Sequence, residues 1–229
     1  MISHLLEIRR RLLRISIVFF VFFMILAIFA NTLFETLMLP LFRHALPHAH
    51  LIATNMTSPF FAPLQLAWNV TLLLVVPYAL MELWQFIAPG LYPHEKHPIR
   101  QYIGLSVLLF LCGMVFCFYV VLPMLFHFFS ATLPDSVQLM PDIMHLIEFV
   151  TSMLLRFGVC FQLPLLCIIG VRLQWFTPDQ LCLYRPYAIV AAFILGMILT
   201  PPDVLSQLTM AIPLWGLYEL GILLSRRTA

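Results

Sequence analysis

Long apolar runs are the feature of this sequence that most limits what it can fold into. Six can be placed, at about residues 15–34, 64–87, 103–129, 146–173, 187–199 and 204–224. About 20 apolar residues in a helix cross the hydrocarbon core of a bilayer, whereas a membrane-spanning strand needs only about 9–11 residues of alternating polarity. The pattern therefore predicts an all-α polytopic membrane protein, with residues 1–229 forming a single membrane domain.

Composition excludes the main soluble classes. The chain is 62% hydrophobic and only 10% charged, with a mean hydropathy of +1.00, whereas a soluble domain carries about a quarter charged residues. Disordered and disulfide-stapled secreted chains are excluded on the same ground. The net charge of +2 is too small to indicate a nucleic-acid partner.

Prolines shape the predicted helices. The fifth run is short, and it joins the sixth through Thr-Pro-Pro-Asp at residues 200–203, where consecutive prolines stop a helix and predict a tight hairpin. Four further prolines fall inside predicted spans: Pro77, Pro123, Pro164 and Pro213. Helices bent in this way suit a curved wall better than a straight bundle.

The basic residues predict the orientation. If the N-terminus is cytoplasmic, the opposite side carries only Arg43, and Arg156 lies inside the fourth span. Cytoplasmic segments are enriched in Lys and Arg, so both termini are predicted to be cytoplasmic. The cytoplasmic side then collects Arg9, Arg10, Arg11, Arg14, Lys96, Arg100, Arg172, Arg185, Arg226 and Arg227.

No catalytic or metal-ligand pattern emerges from the sequence. A Gly-rich phosphate loop and a Gly-x-Ser-x-Gly elbow are both absent, so neither an enzyme nor a cofactor is predicted. His94 and His97 are three residues apart and are followed by Pro98, which favours an interfacial loop over a zinc site. The cluster of His44, His48 and His50 similarly favours a solvated loop.

Polar side chains in membrane segments are costly and require an explanation. Glu7 and Glu95 lie at the predicted cytoplasmic interface, each among basic residues. A neighbouring basic partner therefore remains an alternative to a ligand role: Arg10 or Arg11 for Glu7, and Lys96 or Arg100 for Glu95. The other polar residues in or near the spans are Glu82, Gln85, Gln162, Thr200, Asp203, Gln207 and Glu219.

Five short motifs occur in order along the chain. They are HLLEIRRR at residues 4–11, SPFF at 58–61, WQFIAPGLY at 84–92, FQLP at 161–164 and TPPDVLSQ at 200–207. With the predicted topology, the sequence resembles over essentially its whole length the TatC family, the multi-spanning receptor subunit of the twin-arginine protein translocase.

The resemblance implies a six-helix, glove-like fold in the bacterial cytoplasmic (inner) membrane. It implies binding of signal peptides with paired arginines and recruitment of single-span partners of the TatA and TatB type. It also implies self-association in a larger complex, and transport of folded cargo driven by the proton-motive force.

The resemblance also assigns residues. The implied signal-peptide site contains Glu7, Arg9, Phe86, His94 and Glu95. The implied partner-binding polar groove contains Gln162, Met197, Thr200, Asp203 and Gln207, and Pro40 matches a position in the first external loop. Three residues depart from the family pattern: Pro93 and Gln65 replace common lysines, and Gln162 replaces a common glutamate. A different class of function, a small-solute transporter with Gln162 and Gln207 as midplane ligands, is the alternative.

Overall fold

The computed structural model describes residues 2–45, 52–87, 96–132, 140–199 and 204–228. It does not describe the side chains of residues 2–5, 39–45, 87, 96–100, 198–199, 205–206 and 227–228. Within the described ranges the chain is helical, apart from short connections and an isolated bridge between Ile52 and Asp142.

Ten α-helices and one π-helical segment lie in these ranges. They are α1 (Ile2–Ile28), α2 (Ala30–Ala45), α3 (Ser58–Ile87), α4 (Lys96–Phe116), the π-segment Cys117–Val121, α5 (Leu122–Thr132), α6 (Ile143–Cys160), α7 (Leu163–Arg172), α8 (Pro178–Leu183), α9 (Arg185–Leu199) and α10 (Val204–Thr228).

Five helical segments in the described residues are long and apolar enough to cross a membrane: Leu6–Ile28, Ser58–Phe86, Gln101–Thr132, Ile143–Arg172 and Gln207–Arg226. The predicted all-α membrane class is confirmed. The predicted fifth span falls in a shorter apolar helix, Arg185–Met197. The count of six spans and the cytoplasmic termini stay predictions.

The first apolar run contains a break that was not predicted. The run was predicted to continue to residue 34, but α1 ends at Ile28 and α2 begins at Ala30. Polar residues follow the break, including Asn31, Thr32 and Glu35. The break between α1 and α2 therefore lies close to where the uninterrupted apolar sequence ends.

Proline explains two irregularities inside the predicted spans. The π-segment Cys117–Val121 lies next to Pro123, whose ring would clash with the carbonyl group four residues earlier in a regular α-helix. The chain also turns between α6 and α7, where Pro164 occupies the first turn of α7 and Gln162 is its N-cap. Both departures relieve the steric conflict that proline creates.

The residues group into two compact units. The first contains Met1–Phe86 with Phe118–Leu154, and the second contains Ile87–Cys117 with Leu155–Ala229. The assignment of a single membrane domain stays a prediction.

In the first unit, a polar clamp joins the connection before α3 to the start of α6. Asp142 Oδ2 accepts hydrogen bonds from the Thr54 hydroxyl (2.6 Å) and the Thr54 backbone N–H (3.1 Å). Its other oxygen accepts from the backbone N–H groups of Met144 and His145, which caps α6. The two Thr54 hydrogen bonds and those two N–H groups lower the pKa of Asp142 to about 2.

In the second unit, small residues allow close packing of helices. A Cβ atom on Gly113 would lie 2.7 Å from the carbonyl oxygen of Phe157, and one on Gly158 would lie 2.6 Å from the ring of Phe110. Helix α10 packs along both α7 and α9. Close backbone approach through glycine is a common means of joining helices in a membrane.

Candidate functional site

Arg11 on α1 occupies a group of acceptors in the first unit. Its guanidinium donates to Glu7 Oε1 through Nη2 (2.6 Å) and Nε (3.2 Å), and to Glu82 Oε2 through Nη1 (2.9 Å). It also donates to the backbone carbonyls of Glu82 (3.0 Å) and Gln85 (3.4 Å). The Phe86 ring centroid lies 5.9 Å from Arg11 Cζ. We call the two carboxylates, the two carbonyls and this ring the guanidinium site.

The side chains of the guanidinium site come from one face of α1 and one face of α3. Glu7 and Arg11 are four residues apart on α1, and Glu82 and Phe86 are four residues apart on α3, so each pair shares a helix face. The fork of an arginine, with five N–H donors, can satisfy two carboxylates and nearby carbonyls at once. The guanidinium site therefore matches an arginine rather than a lysine.

Glu82 is the buried member of the site. Its side chain is 7% exposed, compared with 38% for Glu7. Besides Arg11, it accepts a hydrogen bond from the Tyr78 hydroxyl (3.0 Å), and Arg14 Nη1 lies 3.6 Å from its Oε1. A buried carboxylate requires such partners. Glu82 thus anchors the site from within, while Glu7 forms its accessible edge.

A cavity of about 450 Å³ borders the guanidinium site. Its walls come from one face of α1 and one face of α3, and they are apolar except for Arg11 and Glu82. The lining residues are Ile8, Arg11, Leu12, Ile15, Val76, Ala79, Leu80, Glu82, Leu83 and Phe86. The cavity offers space beside the charged groups for further side-chain atoms.

The structure brings together some of the predicted signal-peptide residues. Glu7 and Phe86 meet around Arg11, and the basic partner of Glu7 is Arg11 rather than Arg10. Arg9 lies on the same helix and is exposed. His94 and Glu95 lie outside the described residues, so their relation to this site stays a prediction.

Gln162 forms a closed pair with Ser106 in the second unit. The Ser106 hydroxyl donates to Gln162 Oε1 (2.8 Å), and Gln162 Nε2 donates to the Ser106 carbonyl (2.9 Å). Both residues are buried. The amide thus uses its donor and its acceptor within the protein, which gives no support to a ligand role in solute transport.

The predicted partner-binding residues are only partly described. Gln207 on α10 donates its amide N–H to the carbonyl of Phe193 on α9 (3.0 Å), and a Cβ atom on Gly196 would lie 3.1 Å from the Gln207 carbonyl. Gln207 therefore contributes to the contact between α9 and α10, while Met197 is 59% exposed. Thr200 and Asp203 lie outside the described residues.

Comparison with known proteins identifies the family. The family described as "Sec-independent protein translocase protein (TatC)" matches residues 3–213. The chain belongs to the TatC family. It is therefore a multi-pass inner-membrane component of Sec-independent protein transport, as the resemblance of the sequence motifs implied.

Relatives within the TatC family match this chain closely. The TatC protein of Haemophilus influenzae is 44% identical over 99% of this chain and 88% of its own length. That of Escherichia coli K12 is 41% identical with the same coverage. A crystal structure of the twin-arginine translocase receptor TatC superposes with a TM-score of 0.84 at 33% identity, covering 98% of both chains. A second, determined in DDM, gives 0.85 at 34% identity, covering 97% of this chain and 99% of the other.

Two findings concern single residues of this TatC chain. Pro40, predicted at a position in the first external loop, lies on α2, which continues to Ala45, and its role stays a prediction. Glu82 was recognised as a costly polar residue but was not assigned to the signal-peptide site. The spacing of Glu82 and Phe86, four residues apart on one helix, was the available signal.

Proposed function

We propose that this chain is the core receptor subunit of a twin-arginine translocase, which binds the paired arginines of signal peptides on folded cargo proteins. The guanidinium site is the observation that carries the proposal, because it already binds one arginine side chain through two carboxylates and an aromatic ring. The similarity to solved TatC receptor structures supports the same function.

The chemistry favours arginine over lysine in the cargo. Carboxylates bind a planar guanidinium through two parallel hydrogen bonds, whereas an ammonium group offers no such fork. Hydrogen bonds to charged groups contribute about 1.5–3 kcal/mol. Glu7 is the accessible acceptor, and Glu95 is proposed as the second acid of recognition on the strength of the family motif.

The experiment is a binding assay with detergent-purified protein and a fluorescent peptide that carries two adjacent arginines. A matched peptide with two lysines provides the measure of discrimination. We expect Glu7→Gln and Glu95→Gln each to weaken binding of the arginine peptide about tenfold, the equivalent of about 1.4 kcal/mol. Binding of the lysine peptide should change less.

The control for general charge loss is Glu148→Gln, because Glu148 is exposed on α6 and is not part of the guanidinium site. If Glu7→Gln and Glu95→Gln discriminate between the two peptides as well as the wild type does, these glutamates are structural ion-pair partners and the proposed site is wrong.

The chain is also proposed to scaffold TatA- and TatB-type single-span subunits in a larger complex, with transport driven by the proton-motive force. The proposed groove consists of exposed Met197 with Thr200, Asp203 and Gln207. Gln162, which the resemblance also implied, is buried in its pair with Ser106. Interhelical hydrogen bonds in membranes contribute only about 0.6 kcal/mol on average, so packing must supply most of the affinity. Cross-linking from Met197 to such subunits tests this role, and the absence of adducts at every stage of transport would contradict it.

A further inference from the structure

Arg11 satisfies the acceptors that an arriving arginine would need. Its guanidinium makes five hydrogen bonds, to Glu7, Glu82 and the carbonyl of Gln85, and lies against the ring of Phe86. A second guanidinium cannot use the same carboxylate oxygens at full strength while Arg11 remains there. The site is therefore filled by the protein itself.

We propose that Arg11 is an internal competitor that occupies the guanidinium site in the resting protein and is displaced by an arginine of the bound peptide. The inference rests on the proposed function, and it adds Glu82 as a group that recognises the peptide's arginine. Arg11 and the incoming arginine exchange at the same acceptors, so binding is regulated by how often Arg11 leaves them.

The charges of the site are compatible with such an exchange. Arg11 and Arg14 balance Glu7 and Glu82 in the resting state. When Arg11 turns away, Glu82 keeps Tyr78 and Arg14, so the buried carboxylate is not left without partners. Glu7 then carries the unbalanced negative charge at the exposed edge. One guanidinium from a peptide restores the balance.

The packing also allows Arg11 to move. None of the residues of α1 from Leu6 to Ile28 is buried, and the Arg11 side chain is itself 18% exposed. The cavity of about 450 Å³ lies directly beside it. The movement that the inference requires is a change of side-chain rotamer that carries the Arg11 guanidinium from its acceptors to solvent.

The competition predicts that loss of Arg11 strengthens peptide binding, in contrast to loss of a residue that recognises the peptide. The apparent dissociation constant equals the intrinsic one divided by the fraction of molecules with a vacant site. If Arg11 vacates the site about one tenth of the time, Arg11→Gln lowers the Kd for the two-arginine peptide about tenfold.

The matched control is Arg10→Gln, which removes the same charge from the next position of α1, where the side chain is exposed. Any general electrostatic attraction of a cationic peptide changes alike in both variants. The difference between the Kd values of Arg11→Gln and Arg10→Gln therefore measures the effect of vacating the guanidinium site alone. The gain should be larger for the two-arginine peptide than for the two-lysine peptide.

Two further variants keep the test decisive. Arg11→Lys retains a cation near Glu82 but lacks the fork, so it should bind the arginine peptide more tightly than the charge-matched Arg10→Lys even where Arg11→Gln does not fold. In Arg11→Gln/Glu82→Gln the gain should disappear, because the buried acceptor is lost. A gain that survives this second change would contradict the role of Glu82.

The possible outcomes separate this inference from the function on which it rests. Size-exclusion elution and helical circular dichroism identify the folded variants, and the peptide Kd is measured for each. Tighter binding by Arg11→Gln than by Arg10→Gln, or by Arg11→Lys than by Arg10→Lys, supports the inference. If the wild type binds the arginine peptide and neither Arg11 variant binds it more tightly than its matched control does, only the inference is wrong. If no variant and no wild-type protein binds it, the proposed function and the inference are both wrong.

Discussion

Two polar sites in the apolar helices of this chain provide hydrogen-bond partners for their side chains in opposite ways. The guanidinium site holds charged groups, keeps Glu7 38% exposed and borders a cavity. The pair of Gln162 and Ser106 is neutral and buried, and its two residues bond to each other. A partly exposed ionic contact can exchange one partner for another, whereas a buried neutral pair cannot open without leaving unsatisfied groups. The first arrangement suits recognition, and the second fixes two helical segments together.

The comparison explains the amide at residue 162. The family resemblance implied a glutamate at this position of the helix, whereas this chain carries Gln162. An ionised carboxylate could accept the hydroxyl hydrogen of Ser106, but it could not donate to the Ser106 carbonyl as Gln162 Nε2 does. In this chain the residue therefore acts as a structural link that needs no charge.

The largest expected effect comes from removing the buried charge of the guanidinium site. Glu82→Gln leaves Arg11 and Arg14 without the carboxylate that both approach. Breaking a buried ion pair costs about 3–5 kcal/mol. Because Arg11 retains Glu7, we expect a loss near the lower end, about 3 kcal/mol in the free energy of unfolding.

Reversible unfolding in detergent micelles measures this loss. Glu148→Gln serves as the control, since it removes an exposed glutamate from α6. Equal stability of the two variants would mean that the charge of Glu82 does not stabilise the site.

An intermediate effect is expected at the neutral pair. Gln162→Leu and Ser106→Ala each remove one partner, and each should lower the free energy of unfolding by about 1–2 kcal/mol. In a double-mutant cycle the two changes should be coupled by about 0.6 kcal/mol, the average for hydrogen bonds between membrane helices, and by no more than about 1.7 kcal/mol.

The affinity for the arginine peptide should be the same in Gln162→Leu as in the wild type. Additive stability losses would contradict the pairing. A weakened peptide affinity would contradict the division of tasks between the two sites.

The sequence predicted the elements of both sites better than their contacts. Apolar run length was enough to predict the membrane-spanning helices, because the bilayer thickness fixes the length required. The sequence could name Arg11 as one of two basic partners for Glu7, because that contact depends only on local helical spacing. The contact between Arg11 and Glu82, 71 residues apart, depends on how α1 meets α3, and the pattern of a single helix does not contain that information.

Local signals were also missed. Helix α8 begins with a capping box in which the side chains of Thr177 and Gln180 bond to each other's backbone N–H groups. The spacing Thr-Pro-Asp-Gln was visible in the sequence. Helix α8 was not predicted because it is short and the prediction of helices relied on long apolar runs.

The smallest expected effect concerns an acid that has hydrogen bonds but no ionic partner among its described contacts. The bonds from Thr54 lower the pKa of Asp142 from its ordinary 3.8 to about 2. Since the folded-state pKa is the lower one, ionised Asp142 stabilises the fold above about pH 4, and this contribution is lost as the pH falls toward 2. Asp142→Asn should reduce the loss of melting temperature between pH 6 and pH 3. An identical pH dependence in both proteins would show that the clamp does not contribute.

The central claim is that a peptide arginine enters the charged, partly open site and not the closed one. A photoreactive phenylalanine analogue at Phe86 tests it directly, with the same analogue at Phe161, next to Gln162, as the matched control. We expect an adduct with the two-arginine peptide at Phe86 that excess unlabelled arginine peptide suppresses and excess two-lysine peptide does not. We expect no adduct at Phe161. Equal labelling at the two positions, or labelling at Phe161 alone, would contradict the account.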